Sequence, residues 1–280
     1  MTPAPRRTDT GLAASALAVA VTGRHLIADV TLRVAPGEIV VVAGPNGAGK
    51  STLLRCLSGE LRPSSGSVTL DGVPVSSQSA AALALRRAVV PQASVLHFPF
   101  TVAEVVALAA TVPGLSTPDA RQRAAITRAM ARADVGHLAG RLYPTLSGGE
   151  RQRVHLARAL CQLALAPHAE GTRALLLDEP TASLDISHQL MILEAAREEA
   201  RTGIAVLAIL HDLNLAATFA DRIALMACGR LLAIARPAAI LDDARLSGAF
   251  ACTVCANRPP PGGEPYVLPQ ACAAGPRTLA

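Results

Sequence analysis

Lys50 is the single lysine in a chain of 280 residues, in which arginine supplies every other strongly basic side chain. It stands in the loop Gly44-Pro45-Asn46-Gly47-Ala48-Gly49-Lys50-Ser51, which fits the phosphate-binding pattern G-x-x-x-x-G-K-[ST] at every fixed position. A lysine ammonium is a compact point charge that can enter a phosphate cradle, whereas a guanidinium is a broad planar fork. This loop is therefore predicted to bind the β- and γ-phosphates of a nucleotide, with the Ser51 hydroxyl on Mg²⁺.

Two adjacent acids follow a later apolar segment, in the order Leu175-Leu176-Leu177-Asp178-Glu179. Asp178 is predicted to hold Mg²⁺, and Glu179 to take a proton from the water that attacks the γ-phosphate. A strand that ends in two solvated acids is the alternative interpretation. The phosphate-loop pattern in the same chain favours the catalytic one.

A third segment, Leu146-Ser147-Gly148-Gly149-Glu150, places a serine and two glycines before a helical pattern at residues 151–160. Unhindered N–H groups at a helix N-terminus can bind an anion. An ordinary helix cap at Ser147 explains the same residues, so both interpretations stay open from this segment alone.

The elements around these segments follow from hydrophobic periodicity. Residues 38–43 form a short apolar run typical of a strand buried on both faces, and residues 51–57 can form a helix that ends before Gly59. Residues 28–34 alternate in polarity and residues 63–74 repeat strand and turn character, which predicts an antiparallel sheet.

Residues 102–165 have a helical pattern, in which Thr117-Pro118 predicts an N-cap followed by proline at the first helical position. Further apolar runs at 174–177 and 204–210 complete the strands of a parallel sheet. The predicted fold is α/β: a P-loop nucleotide-binding domain with a mostly parallel core sheet, an antiparallel β subdomain and an inserted helical subdomain. We expect this domain at residues 1–252, the insertion at about 93–168, and a tail rich in proline and glycine at 253–280.

In this order the motifs resemble those of the ATP-binding subunits of ABC transporters, over about residues 15–250. The resemblance implies that residues 44–51, followed by Thr52, are the Walker A loop, and that residues 147–150 are the signature that meets the partner subunit's ATP. It further implies that Gln92 is the Q-loop glutamine, which joins Ser51 and Asp178 at Mg²⁺. Asp178 is then the Walker B aspartate and Glu179 the catalytic glutamate. Asp185 is the D-loop aspartate, and His211 is the switch histidine. Implied ligands are ATP and Mg²⁺. Implied partners are a second copy of the chain, a transmembrane permease dimer and, indirectly, a periplasmic substrate-binding protein.

The sequence departs from that family at the adenine. Members usually stack an aromatic ring from the first strand on the base, but no Phe, Tyr or Trp occurs before Phe98. By position, Val21 replaces the ring, with His25 as a second candidate. Base recognition therefore cannot be assigned from the resemblance, whereas the phosphate-binding residues can.

Within the family, the segment His97-Phe98-Pro99-Phe100-Thr101-Val102 is similar to the ATPase subunits that drive hemin import. Importers of ferric siderophores and of cobalamin are close relatives, and both cargoes stay open. Residues 95–102, which contain two phenylalanines, are predicted to form a docking groove for the permease with Glu104 at its rim. A loop of the protein core is the alternative.

Composition limits the remaining functions. The net charge of +5 comes from arginines spread along the chain, and we expect no nucleic-acid binding. A chromosome-type or DNA-repair ATPase of this class would carry long heptad arms, and a translation-associated one would carry two cassettes. The six cysteines lack the spacing of a zinc site, which favours reduced thiols.

No apolar run reaches the length of a membrane helix. Arg6-Arg7 and the apolar residues 12–21 imitate a secretion signal, which we reject because cleavage there would cut the predicted antiparallel sheet. The expected location is the cytoplasmic face of the inner membrane, as a peripheral subunit.

Overall fold

A six-stranded sheet forms the centre of the computed structural model, which describes residues 10–92, 98–113, 115, 117–167, 171–259 and 262–268. The order of its strands is β10-β9-β3-β8-β7-β6, and the five strands from β9 to β6 are parallel. A second sheet, β2-β1-β4-β5, is antiparallel. The predicted α/β fold, with its mostly parallel core and antiparallel subdomain, is confirmed.

The strands of the described residues are β1 Leu12–Val21, β2 Arg24–Val34, β3 Ile39–Ala43, β4 Ser65–Leu70, β5 Val73–Pro74, β6 Arg87–Val90, β7 Ala174–Asp178, β8 Ala205–Ile209, β9 Arg222–Ala227 and β10 Arg230–Ala235. The α-helices are α1 Lys50–Leu57, α2 Ala80–Ala84, α3 Val102–Ala107, α4 Asp119–Arg132, α5 Gly148–Leu165, α6 Ile186–Arg201, α7 Leu213–Phe219, α8 Pro237–Ile240 and α9 Asp243–Phe250. None of these helices is long and apolar enough to cross a bilayer.

The core sheet is buried on both faces, which explains why its strands are continuous apolar runs. In β3, Ile39, Val41 and Ala43 pack on the side of α3–α6, while Val40 and Val42 pack on the side of α1 and the antiparallel sheet. In β2 only one face is buried, and Asp29, Thr31 and Arg33 alternate with buried neighbours as predicted. Residues 12–21, which imitate a secretion signal, form β1 between β2 and β4.

The helical insertion contains α3, α4 and α5, and one detail of its prediction is wrong. Pro118, and not Thr117, occupies the N-cap of α4, because its carbonyl accepts the first helical hydrogen bond, from Gln122 N at 3.0 Å. Thr117 instead accepts a bond from the Gln122 side chain at 2.8 Å.

The outer bounds of the insertion, 93 and 168, lie outside the described residues and stay predictions. The boundary at 252 also stays a prediction. The first residues of the proposed tail are bonded to α9: Val254 N donates to Ser247 Oγ at 2.9 Å and Ala256 N to Asp243 Oδ1 at 2.7 Å.

Asp71 joins the antiparallel sheet to the core sheet. Its carboxylate accepts hydrogen bonds from Gly11 N at 2.8 Å, from Thr172 N at 2.7 Å and from the Thr172 hydroxyl at 2.5 Å, and it forms an ion pair with Arg86. Burial by itself would raise the pKa of Asp71, but the bonds from Thr172 and Gly11 and the charge of Arg86 outweigh it and lower the pKa.

We expect Asp71→Ala to lower the free energy of unfolding by about 2–3 kcal/mol at pH 7, because Thr172 and Arg86 lose a charged acceptor. A carboxyl with a lowered folded-state pKa stabilises the fold above its unfolded pKa of about 4, and that stability is lost as the pH falls through the folded value. The variant should therefore lose less stability than the wild type on acidification below about pH 4. Urea unfolding across pH measures both effects.

Glu60→Ala is the matched control, because Glu60 pairs with Arg55 while both side chains are at least half exposed. Its expected change is within about 0.5 kcal/mol. Equal effects of the two substitutions would contradict the assignment of Asp71 as the joint between the sheets.

Candidate active site

The candidate active site lies at the carboxyl edge of the core sheet. Strands β3, β8, β7 and β6 are adjacent and parallel, so the residues that follow them meet at one edge. Those residues are the glycine loop after β3, His211 after β8, Asp178 and Glu179 at the end of β7, and Gln92 after β6.

The glycine loop connects β3 directly to α1, as predicted, except that the helix begins one residue earlier, at Lys50. Gly44 and Gly49 have φ angles of 145° and 94°, which side chains rarely adopt. Space is also restricted: a Cβ on Gly44 would lie 2.0 Å from Met226 O, and one on Gly49 would lie 2.8 Å from Leu26 O. The loop is therefore pressed against β2 and β9, and only glycine fits at these two positions.

Lys50 is buried, with 5% of its surface exposed. Its ammonium donates to Gly44 O at 2.8 Å and Pro45 O at 2.9 Å, so it curls back under the loop that carries it. Burial lowers the pKa of Lys50, although the charges of Glu179 and Asp178 oppose the shift. The charge is thus held in place by carbonyl dipoles and faces two carboxylates.

Ser51 and Asp178 are in direct contact, since Ser51 Oγ donates to Asp178 Oδ1 at 3.1 Å. Burial raises the pKa of Asp178, the bond from Ser51 opposes this, and the neighbouring Glu179 adds to it. A hydroxyl beside a buried carboxylate presents the hard oxygen ligands that Mg²⁺ prefers. Among the described residues there is no cluster of three His, Cys, Asp or Glu side chains that could hold a metal ion.

Glu179 is clamped between two side chains from the neighbouring strands. His211 Nε2 lies 2.6 Å from Glu179 Oε1, and Gln92 Nε2 donates to Glu179 Oε2 at 2.6 Å. The backbone of Glu179 adopts a left-handed φ of 48°, which is strained for a residue with a Cβ and is frequent at functional sites. Both oxygens of one carboxylate are thereby fixed at the edge of the glycine-loop cavity.

An open cavity of about 700 Å³ covers the loop. Its walls are the loop and α1, Glu179, the β1–β2 hairpin, and the turn between β9 and β10: Pro45, Asn46, Gly47, Ala48, Gly49, Lys50, Ser51, Thr52, Glu179, Arg24, His25, Leu26, Cys228 and Gly229. Of the two positions proposed for the missing ring, His25 lines this cavity and Val21 is not among its lining residues.

The remaining predicted residues lie in a second cavity, of about 280 Å³, lined by Ser147, Gly148, Gly149, Glu150, Asp185 and their neighbours. Ser147 caps α5, and with Glu150 it forms a capping box in which each side chain bonds the other's backbone N–H. Helix α5 therefore begins at Gly148, three residues earlier than predicted, because this box draws the two glycines into the first turn. The cap interpretation is correct, and the same turn leaves its N–H groups at the cavity.

Sequence reasoning missed several residues of these two cavities. Arg24, Leu26, Cys228 and Gly229 carry no local motif, and their strands bring them to the glycine loop from distant parts of the chain. In the second cavity Arg153 and His188 were missed. The spacing of Asp185 and His188, from the N-cap to the third helical position of α6, was the one available signal.

The chain is similar to known proteins in both sequence and structure. A sequence model of the ABC transporter family matches residues 27–182. The chain is 48% identical to the hemin import ATP-binding protein HmuV of Gloeobacter violaceus, over 92% of this chain and 94% of that protein. It is also 48% identical to the protein of the same name from Rhodopseudomonas palustris, over 93% and 95% of the two chains.

Solved structures give the same family. The ATP binding subunit of an ABC transporter superposes with a TM-score of 0.73 at 26% identity, over 86% of this chain and 96% of that one. A bacterial Atm1-family ABC exporter with ATP bound superposes with a TM-score of 0.69 at 27% identity, over 82% of this chain and 40% of that one. The chain therefore belongs to the ABC transporter family.

Proposed function

We propose that this chain binds and hydrolyses ATP as the energy-supplying subunit of an import complex whose cargo is hemin. The main observation in support of ATP hydrolysis is the position of the Glu179 carboxylate beside the glycine-loop cavity. The side chains of Gln92 and His211 each lie 2.6 Å from one of its oxygens. A fixed carboxylate next to a phosphate cradle is what general-base activation of water requires. The cargo follows from the relatives named for hemin import.

In this proposal the glycine loop and Lys50 hold the β- and γ-phosphates, and Lys50 exchanges its loop carbonyls for phosphate oxygens. Ser51, Asp178 and Gln92 hold Mg²⁺, which neutralises phosphate charge when bound. Glu179 takes the proton of the attacking water, and His211 keeps that carboxylate in place. Asp185 and residues 147–150 lie in a separate cavity of their own subunit, and in this proposal they complete the nucleotide site of a second copy of the chain.

The proposed permease surface surrounds Phe98, which is 68% exposed. The Phe98 and Phe100 ring centroids lie 6.1 Å apart, and Leu142 beside them is 43% exposed. Glu104 is exposed, and its Oε2 accepts bonds from Thr101 N and Oγ1 at 2.7 and 2.8 Å, which hold the charge of the predicted acidic rim in place. Residues 95–97 of the predicted groove lie outside the described residues. The surface offers apolar contact for a permease at the cytoplasmic face of the inner membrane.

We expect Glu179→Gln to retain MgATP binding and to lower the turnover number by about 10²- to 10⁴-fold, because an amide keeps the shape of the site but cannot accept a proton. Phosphate release and equilibrium nucleotide binding measure the two properties. Glu194→Gln, on the exposed face of α6, is the control and should leave both unchanged. Turnover of the Glu179 variant within a factor of a few of the wild type would remove Glu179 as the base.

Lys50 offers a second test, because an amine-directed reagent at mildly alkaline pH has two targets in this chain, Lys50 and the α-amino group. The lowered pKa of Lys50 makes part of it reactive there, whereas bound phosphates favour the charged form and block approach. MgATP should therefore slow labelling of Lys50 and leave the α-amino group, the internal control, unchanged. Peptide mapping measures both rates. Equal Lys50 labelling with and without saturating MgATP would contradict phosphate contact.

The cargo is tested in liposomes that contain the chain with its co-purified permease. We expect a hemin-loaded periplasmic binding protein to stimulate ATP hydrolysis and hemin uptake. When the complex contains the Glu179→Gln chain, we expect no stimulation of either. Stimulation by ferric-siderophore or cobalamin carriers, without any by hemin, would contradict the cargo and leave the ATPase assignment intact.

A further inference from the structure

Both ring nitrogens of His188 lie within hydrogen-bonding distance of a neighbouring side chain. On one side, its Nδ1 lies 2.9 and 2.8 Å from the two carboxylate oxygens of Asp185, the N-cap of α6. That carboxylate also accepts the His188 backbone N–H at 2.9 Å. These hydrogen bonds therefore fix the His188 ring to Asp185, at the end of the loop before α6.

On the other side, His188 Nε2 lies 2.8 Å from Arg153 Nη1. A guanidinium only donates hydrogen bonds, so this contact requires Nε2 to accept. The proton of the neutral ring then sits on Nδ1 and is donated to Asp185. Arg153, His188 and Asp185 thus form one directional chain of hydrogen bonds.

Arg153 anchors this chain in the helical insertion. It is buried in α5, with 9% of its side chain exposed, and its Nη1 also donates to Asp134 O at 3.0 Å and Asp134 Oδ2 at 3.1 Å. Asp134 follows the end of α4. The chain of bonds therefore runs from the α4–α5 region to the loop that precedes α6, which belongs to the core.

The loop and the first turn of α5 are also in direct contact. A Cβ on Gly149 would lie 2.8 Å from Leu184 Cδ2 and 3.4 Å from Ser183 O. Both segments line the cavity of about 280 Å³ that contains Ser147 and Asp185, and Arg153 and His188 line it as well. The first turn of α5 and the Asp185 loop are therefore joined both by direct packing and through His188.

We infer that His188 is a positioning residue, which holds the Asp185 loop in register with the first turn of α5 so that both reach the partner subunit's nucleotide together. This inference rests on the proposed ATPase function and adds to it a residue that acts through its contacts with Asp185 and Arg153. The simpler alternative is that His188 only reinforces the cap of α6 through Nδ1, in which case its contact with Arg153 has no consequence for turnover.

Two substitutions distinguish the positioning role from the local cap, because each retains one of the two contacts of the imidazole ring, with Asp185 or with Arg153. His188→Asn places an amide near the Nδ1 position and can still donate to Asp185, whereas His188→Gln places one near Nε2 and can still accept from Arg153. A positioning role needs both contacts. We expect each variant to lower kcat about tenfold while KM for ATP changes less than about twofold. Normal kcat in His188→Asn would overturn the inference in favour of the local cap.

A fluorescent reporter tests the same point without turnover. The chain has no tryptophan, so Ile186→Trp places a unique fluorophore beside Asp185, at a position that is 42% exposed. In the nucleotide-free chain, both His188 variants should lower the steady-state anisotropy of this reporter. Leu232→Trp on β10, which is 50% exposed, is the control and should not respond. An unchanged Ile186→Trp signal in both variants would overturn the inference.

The controls keep failure of this inference distinct from failure of the proposed function. His137→Asn and His137→Gln make the same chemical changes at an exposed histidine and should leave kcat and anisotropy unchanged. If the wild type hydrolyses ATP and the His188 variants match it, only the positioning role fails. If the wild type does not hydrolyse ATP, the proposed function fails, and the anisotropy still decides whether His188 orders the loop.

Discussion

The parallel pairing of β3, β8, β7 and β6 is the constraint on which the candidate active site depends. Each strand delivers one part of the site from its carboxyl end, and the register places Asp178 beside Ile209 and Leu177 beside Val90. Distances of 2.6 Å between Glu179 and its two neighbours require this alignment. A shift of one strand by a single residue would move its side chains to the other face of the sheet.

Burial on both faces holds that register in place. Alternate residues of β3 and β8 enter two different hydrophobic clusters, so a sheet residue cannot change sides without exposing apolar surface. Burial beside these clusters also explains the pKa shifts of Lys50 and Asp178 at the carboxyl edge of the core sheet. Lys50 and Asp178 are drawn into a poorly solvated region, which lowers one pKa and raises the other, and each is compensated by a specific partner. The site thus has charges that are fixed before any ligand arrives.

Much of this arrangement could be predicted from the sequence, because its signals are local. The Walker A pattern, the acids after an apolar run and the alternating β2 each specify one element and its position. Local signals also misplaced three helix starts, which lie at Lys50, Asp119 and Gly148. The Pro118 carbonyl sets the second of these boundaries, and a capping box sets the third. The contact of Arg153 with His188, 35 residues apart, depends on the position of α5 beside the loop that precedes α6 and has no local pattern.

The two cavities bear on the proposed function, in which one chain contributes to two different nucleotide sites. The glycine loop and Glu179 line one cavity, whereas Ser147 and Asp185 line the other. In the proposed function, a nucleotide enclosed by both sets of residues requires two copies of the chain. The direct measurement is sedimentation equilibrium of the Glu179→Gln chain with and without MgATP. We expect twice the mass of one chain with MgATP and the mass of a single chain without it. The mass of a single chain at saturating MgATP would rule out a nucleotide site shared between two copies.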